Sequence, residues 1–229
     1  MGRKVLLVDL DPQANATSGI GFEKTEGASA YRPLLGEGRL ADKIQSTPFE
    51  RLDLIPSETD MCGAEIELSR LDDHLLRLHH ALDPIRNSRR YDLILIDCPP
   101  ALGILTLNVF GAADWLVVPL QCEYYALEGI STITRVLNQL RDTGVNTRVE
   151  LLGVVMTMFD GRTKLCQQVV GEVRNHFGEL VFETVIPRTT KLAEAPSFGK
   201  PVMYYDKYSA GAAAYEILAQ ELLKRLKLL

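Results

Sequence analysis

No apolar run in this chain approaches the ~18–20 residues that a membrane-crossing helix needs. A signal-peptide pattern is also missing, because Arg3 and Lys4 lead into only four apolar residues before Asp9. Cysteine is sparse: Cys62, Cys98, Cys122 and Cys166 are each at least 24 positions from the next, and none forms a Cys-x-x-Cys pair. That spacing argues against a zinc or iron–sulfur site and against a secreted disulfide frame. The expectation is a reduced, cytoplasmic protein. There is no excess of positive charge, since the net charge is −5, so the whole molecule does not announce a polyanion binder. A Gly-x-x-x-x-Gly-Lys-Ser/Thr phosphate loop is absent as well. Lys24-Thr25 lacks the glycines, and Gly199-Lys200 is followed by Pro201 where a hydroxyl belongs.

What is present is ordinary for a folded α/β protein: 229 residues, 46% hydrophobic and 24% charged. Such a chain buries a sizeable core without disulfides. Short apolar, β-branched runs begin at Lys4, Leu52, Tyr91, Asp114, Glu150 and Leu180, and most are apolar on both faces, as parallel strands covered by helices must be. Helical patterns lie between them at roughly 64–83, 102–111, 127–142, 164–177 and 209–227. The alternation predicts right-handed crossovers and an α/β fold, a doubly wound, mostly parallel sheet with helices on both faces, in one domain over 1–229. The Gly-rich stretch 21–44 reads as a surface excursion with a short helix. Charge is uneven: residues 1–158 hold 15 Lys/Arg against 22 Asp/Glu, and 159–229 hold 10 against 8. A polyanion contact is therefore expected in the last third, if anywhere.

Two strands end in acids. Asp9 and Asp11 close the first, and Asp97 closes "LILID". Ligands of open parallel sheets bind beyond the carboxyl ends of the strands, and an acid there is costly unless it meets a metal or a donor. "LILIDCPP" has the form of a Walker B strand, whose Asp holds Mg²⁺, usually through water. Asp9 and Asp11 fall on one side of an extended chain. Pro12 holds Asp11 extended, so that it can lean over the site and orient or deprotonate a water.

"KVLLVDLDPQANATSGIG" resembles the segment after the phosphate loop in the ParA/Soj partition ATPases, the deviant-Walker branch of the P-loop NTPases. The likeness continues through "DLILIDCPPALGILTLNVFGAADWLVVPLQCEYYALEGI", "GVVMTMFDGRTKL" and "VIPRTTKLAEAPSFGKPVMYYDKYSAGAAAY". The resemblance implies a P-loop NTPase-like fold that binds ATP or ADP with Mg²⁺. It implies that Asp11 supports water attack on the γ-phosphate, that Asp9 is its partner near the magnesium shell, and that Asp97 is the Walker B acid. Pro187 and Thr189 match the segment against the adenine, although the family usually shows Asn at the position of Thr189. Arg162 and Lys191 match positions linked to non-specific DNA binding. The implied partners are DNA, a ParB-like centromere-binding protein and a second copy of the chain, in a nucleoid-associated, cytoplasmic setting.

The family's Lys-Gly-Gly-Val-Gly-Lys-Thr loop is the departure. A complete family member carries ~30 more residues ahead of Gly2, one βα unit with its central strand, loop and helix. The fold is therefore expected to be N-terminally incomplete, with unpaired strand edges beside the gap. Without the loop's N–H groups, lysine and hydroxyl, the acids face a triphosphate uncompensated, and the chain is expected neither to bind ATP tightly nor to hydrolyse it. Two other readings stand beside the partition ATPase: a nucleotide-independent interaction module, and a MinD-like positioning protein bound to membrane by the amphipathic end carrying Leu218, Leu222, Leu226 and Leu229. Core packing of that last helix is the favoured reading. His74, His79 and His80 are expected on one solvated helix face. Of the adjacent Tyr124 and Tyr125, one is expected to pack and one to be exposed, at a dimer face.

Overall fold

The computed structural model describes residues 2–123 and 126–229, without the side chains of 126–128. Tyr124 and Tyr125 lie outside the described residues. Two compact units make up the chain, residues 1–113 and 114–229.

The first unit runs β1 (Val5–Asp9), α1 (Asn15–Gly19), α2 (Tyr31–Leu35), β2 (Gln45–Ser46), β3 (Leu52–Ile55), α3 (Met61–Leu68), α4 (Arg77–Asn87), β4 (Leu93–Asp97) and α5 (Ile104–Ala112). Its sheet has the order β2-β3-β1-β4. Strand β1 pairs in parallel with β3 and β4, whereas the two-residue β2 is antiparallel to β3. The central position of β1 explains its apolar sequence, and Leu6 and Val8 are fully buried.

The helix expected over 64–83 is two helices. Between them Asp73 takes φ +54°, a left-handed turn that a short polar side chain tolerates, and its carbonyl accepts from the Leu76 N–H at 2.7 Å. His74 therefore precedes α4 rather than sharing a helix face with His79 and His80. Helix α4 also runs on through Pro84, because Leu78, Leu82 and Ile85 form one buried stripe across it. The stretch 21–44 is less superficial than expected. Leu34 and Leu40 are buried, and the buried Glu58 carboxylate accepts from Gly27 N–H and Ser29 Oγ.

The second unit runs β5 (Trp115–Gln121), α6 (Ala126–Asp142), β6 (Glu150–Phe159), α7 (Lys164–Phe177), β7 (Val181–Pro187), α8 (Thr190–Glu194), α9 (Val202–Tyr205) and α10 (Ala210–Arg225). The three strands are parallel in the order β5-β6-β7. Alternation along them feeds two cores. Val118, Val154, Met156 and Val181 meet Ile130 of α6 and Val169, Val170 and Val173 of α7. On the other face Val155, Phe182 and Ile186 meet Leu218 and Leu222 of α10. Helices thus cover both faces, and the last helix packs Leu218 and Leu222 into the core, whereas Leu229 beyond it is exposed.

The doubly wound fold was expected to lack its central strand and to leave unpaired strand edges, and the pairing forms two sheets. Strands β4 and β5 are each an edge of their own sheet. Both carry central-strand sequences with exposed apolar side chains: Leu95 on β4 is 44% exposed and Trp115 on β5 is 47% exposed.

Candidate functional site

Parallel pairing of β1 with β4 sets Asp9 directly beside Asp97, the last pair of a continuous five-residue register. The Leu10 N–H then donates to the Asp97 carbonyl at 2.8 Å, extending the ladder one step past the strand. All three predicted acids therefore share one rim of the first unit, at the carboxyl end of its sheet.

Their environments differ. Asp9 is fully buried, and both its oxygens are engaged. Oδ1 accepts from the Asp11 N–H at 3.1 Å, while Oδ2 accepts from Thr17 N–H at 2.8 Å and from Thr17 Oγ1 at 2.7 Å. Burial raises its carboxyl above the usual range, and the Thr17 and Asp11 hydrogen bonds oppose that rise. Asp11 is half-buried and folds the chain into an Asx turn: its Oδ1 accepts from the Gln13 N–H at 2.9 Å, and its carbonyl from Ala14 N–H at 2.8 Å. Ala14 accordingly takes φ +52° ahead of α1. Asp97 is exposed at the sheet edge, yet the protein crowded around its carboxyl withdraws water. That desolvation, with the negative charges of Asp9 and Asp11, pushes it up to about 6. Neighbouring Cys98 is pushed up to about 11 by burial and by Asp97.

Sequence reasoning missed the residue that holds this rim together. Thr17 donates to Asp9 and, through the same hydroxyl, accepts from the Ser57 N–H at 2.9 Å, linking the ends of β1 and β3. The available signal was a small hydroxyl residue closely following two acids and a Pro turn, in a segment too short to show helical periodicity. The Ser57 hydroxyl beside this link is buried and has no hydrogen-bond partner.

The donor set suits magnesium, which takes few carboxylates and completes its shell with water and phosphate oxygens. Asp97 and Asp11 stand on the same rim, where Asp11 Oδ1 already accepts from the Gln13 N–H. Both oxygens of Asp9 accept hydrogen bonds, from Thr17 and from the Asp11 N–H. Among the described residues no group of three His, Cys, Asp or Glu side chains could hold a metal by itself.

The other predicted residues belong to the second unit, at the carboxyl ends of β6 and β7. Pro187 ends β7 opposite Phe159 of β6, and the Arg188 N–H donates to the Phe159 carbonyl at 2.9 Å. The β6–α7 turn carrying Arg162 therefore lies beside the Pro187–Thr189 segment. Thr189 is the N-cap of α8, its hydroxyl accepting from the Leu192 N–H at 3.3 Å. Arg162 is exposed and makes a two-pronged pair with Asp160, at 2.9 and 2.7 Å, which holds the Asp160 carboxyl down at about 2. Lys191 pairs with Glu194 at 3.1 Å and lies 5.4 Å from the Tyr205 ring.

A family model described as "AAA domain" matches residues 1–151. The chain is 45% identical over 225 residues to the chromosome partitioning protein ParA of Caulobacter vibrioides, covering 98% of this chain and 84% of that protein. It is 46% identical over 222 residues to the sporulation initiation inhibitor protein Soj of Bacillus subtilis, covering 96% and 87%. This chain belongs to the ParA/Soj family. Among solved structures, cobyrinic acid a,c-diamide synthase of Mycobacterium smegmatis, with bound ADP and magnesium, is 34% identical with a TM-score of 0.81, covering 99% of this chain and 84% of that one. The likeness fits the observed architecture, parallel strands sandwiched by helices with acids at the carboxyl ends. It also places this ParA/Soj family member among the P-loop NTPase folds.

Proposed function

We propose that this chain is a partition protein of ParA/Soj type, with residues 1–229 forming one nucleotide-binding domain, and that ATP-dependent dimerisation, non-specific DNA binding and ATP hydrolysis belong to its full-length form. The observation that carries the reading is the register that sets Asp9 beside Asp97, with Asp11 on the same rim. Three acids drawn together without a counter-charge favour a ligand that brings cations with it. In this reading Asp97 holds Mg²⁺ through water, with Asp9 its partner near the magnesium shell. Asp11, on its Asx turn, orients or deprotonates the attacking water. Magnesium bound there supplies positive charge against the phosphates of ATP. Pro187 and Thr189 lie against the adenine, with the Thr189 hydroxyl already committed to capping α8.

The same reading gives Arg162 and Lys191 to non-specific DNA. Their present partners do not forbid it, since exposed ion pairs are worth only ~0–1 kcal/mol and exchange readily for phosphate. A second copy of the chain, a ParB-like centromere-binding protein and a nucleoid-associated, cytoplasmic location complete the proposal. What supports it is the family membership together with the exposed cations of the second unit.

The 229 residues contain no glycine-rich phosphate loop. The test therefore compares this chain with one extended upstream to the length of its relatives. The extended form is expected to bind DNA in the presence of a non-hydrolysable ATP analogue. Arg162→Ala or Lys191→Ala should weaken that binding and lower its salt slope by about one each. Asp11→Ala should abolish hydrolysis and leave nucleotide binding intact. An extended chain whose DNA binding ignores nucleotide would sink the proposal.

A further inference from the structure

The four cysteines are scattered in sequence, yet the second unit brings two of them into contact. Cys122 directly follows β5 and is 4% exposed, and Cys166 lies in the first turn of α7 and is 8% exposed. The Cys166 thiol donates to the Cys122 carbonyl at 3.6 Å, and both residues belong to one buried cluster. We propose that Cys122 and Cys166 are a peroxide-responsive thiol pair that closes into a disulfide.

The surroundings divide the roles. Cys166 follows the α7 N-cap, Thr163, and the N-terminal end of a 14-residue helix favours a thiolate. Hydrogen bonding from Thr163, and then from the Asp160 backbone, holds its thiol below the usual range. Cys122 is pushed up to about 11 by burial and by its neighbour Cys166, so it stays a thiol. Cys166 is thus the attacking sulfur and Cys122 the resolving one. The Cys166 thiolate attacks one oxygen of hydrogen peroxide and the O–O bond breaks. The departing hydroxide takes up the proton that the thiol released, leaving water and a Cys166 sulfenic acid. The Cys122 sulfur then attacks the sulfenic sulfur, the S–O bond breaks, and a second water leaves with the Cys122 proton. Two thiols are oxidised to one disulfide and one peroxide is reduced to two waters. The bond would tie the residues just after β5 to the first turn of α7, four residues from Arg162.

The experiment treats the full chain with stoichiometric hydrogen peroxide, counts thiols by alkylation in denaturant, and maps the peptides by mass spectrometry. Two of the four thiols should disappear, with a peptide linking Cys122 to Cys166 that dithiothreitol separates. In Cys122→Ser, a sulfenic-acid adduct of dimedone should build up on Cys166 to several times its wild-type level. Should that variant fail to fold, the double variant Cys62→Ser, Cys98→Ser keeps the pair, and it should lose both remaining thiols at the wild-type rate. Oxidation that stops at exposed Cys62, that carries Cys166 to a sulfinic acid without a cross-link, or that joins separate chains would overturn the proposal.

Discussion

Thr17 carries more of the rim than its size suggests. Its hydroxyl donates to a buried carboxylate and accepts a buried backbone N–H. Losing both leaves Asp9 short of a donor and the Ser57 N–H orphaned, so Thr17→Val should cost about 2–3 kcal/mol. Thr17→Ser, which keeps the hydroxyl, should cost far less, and urea unfolding of the two variants separates these outcomes. Asp97 acts in the opposite sense. Its charge is disfavoured by burial and by Asp9 and Asp11, so Asp97→Asn should stabilise the chain at pH 7.5 in a metal-chelating buffer. Because the side chain reaches solvent, the gain is discounted to about 1 kcal/mol. Equal midpoints for the two proteins would refute it. Asp9, Asp11 and Asp97 were all legible as acids ending apolar runs. Thr17 was not, because its partners sit 8 and 40 residues away.

At the scale of elements, α10 is fastened to β7 by one carboxylate. Glu221 accepts from Glu183 N–H at 2.9 Å, Thr184 N–H at 3.1 Å and Thr184 Oγ1 at 2.8 Å, and pairs with Arg225 at 3.1 Å. Burial alone would raise its carboxyl, but these donors together hold it below the usual glutamate range. A depressed folded value contributes stability that is present above the unfolded pKa and is lost as pH falls through the folded one. Glu221→Gln should therefore cost about 1–3 kcal/mol near neutrality, with the difference from wild type closing as pH drops below about 4. A gap that stays constant with pH would contradict this. On β6 the register slips beside Leu152, so that Val117 pairs with Gly153. A Cβ there would stand 2.6 Å from the Leu180 carbonyl oxygen and 2.6 Å from the Phe182 ring. Gly153→Ala should thus lower the melting temperature, by an overpacking cost of about 1–3 kcal/mol. Six strands were legible because apolar runs announce buried parallel strands. The two-residue β2 shows no period, and the break between α3 and α4 rests on a single left-handed Asp73.

For the molecule as a whole, the strand edges matter most. Strand β4 has the composition of a central strand but stands at an edge, with Leu95 exposed. Unpaired apolar edges recruit other chains, so the 229-residue chain should self-associate with rising concentration in light scattering. Leu95→Lys should suppress that association, and indifference to this change would place the contact elsewhere. The same chain should show no measurable ATP turnover, since the acids of its rim meet no phosphate-binding loop within these residues.

The six longer strands, the longer helices between them and the acids that end two of those strands were determined by the sequence alone, because periodicity and strand-end composition are local properties. Only the tertiary structure decided that Asp9 stands beside Asp97, that Thr17 binds Asp9 and Ser57, and that Cys122 meets Cys166 across 44 residues. It also decided that the pairing falls into two sheets. These are through-space pairings, set by the register between strands and by how helices settle on them, and no local pattern of residue types encodes them.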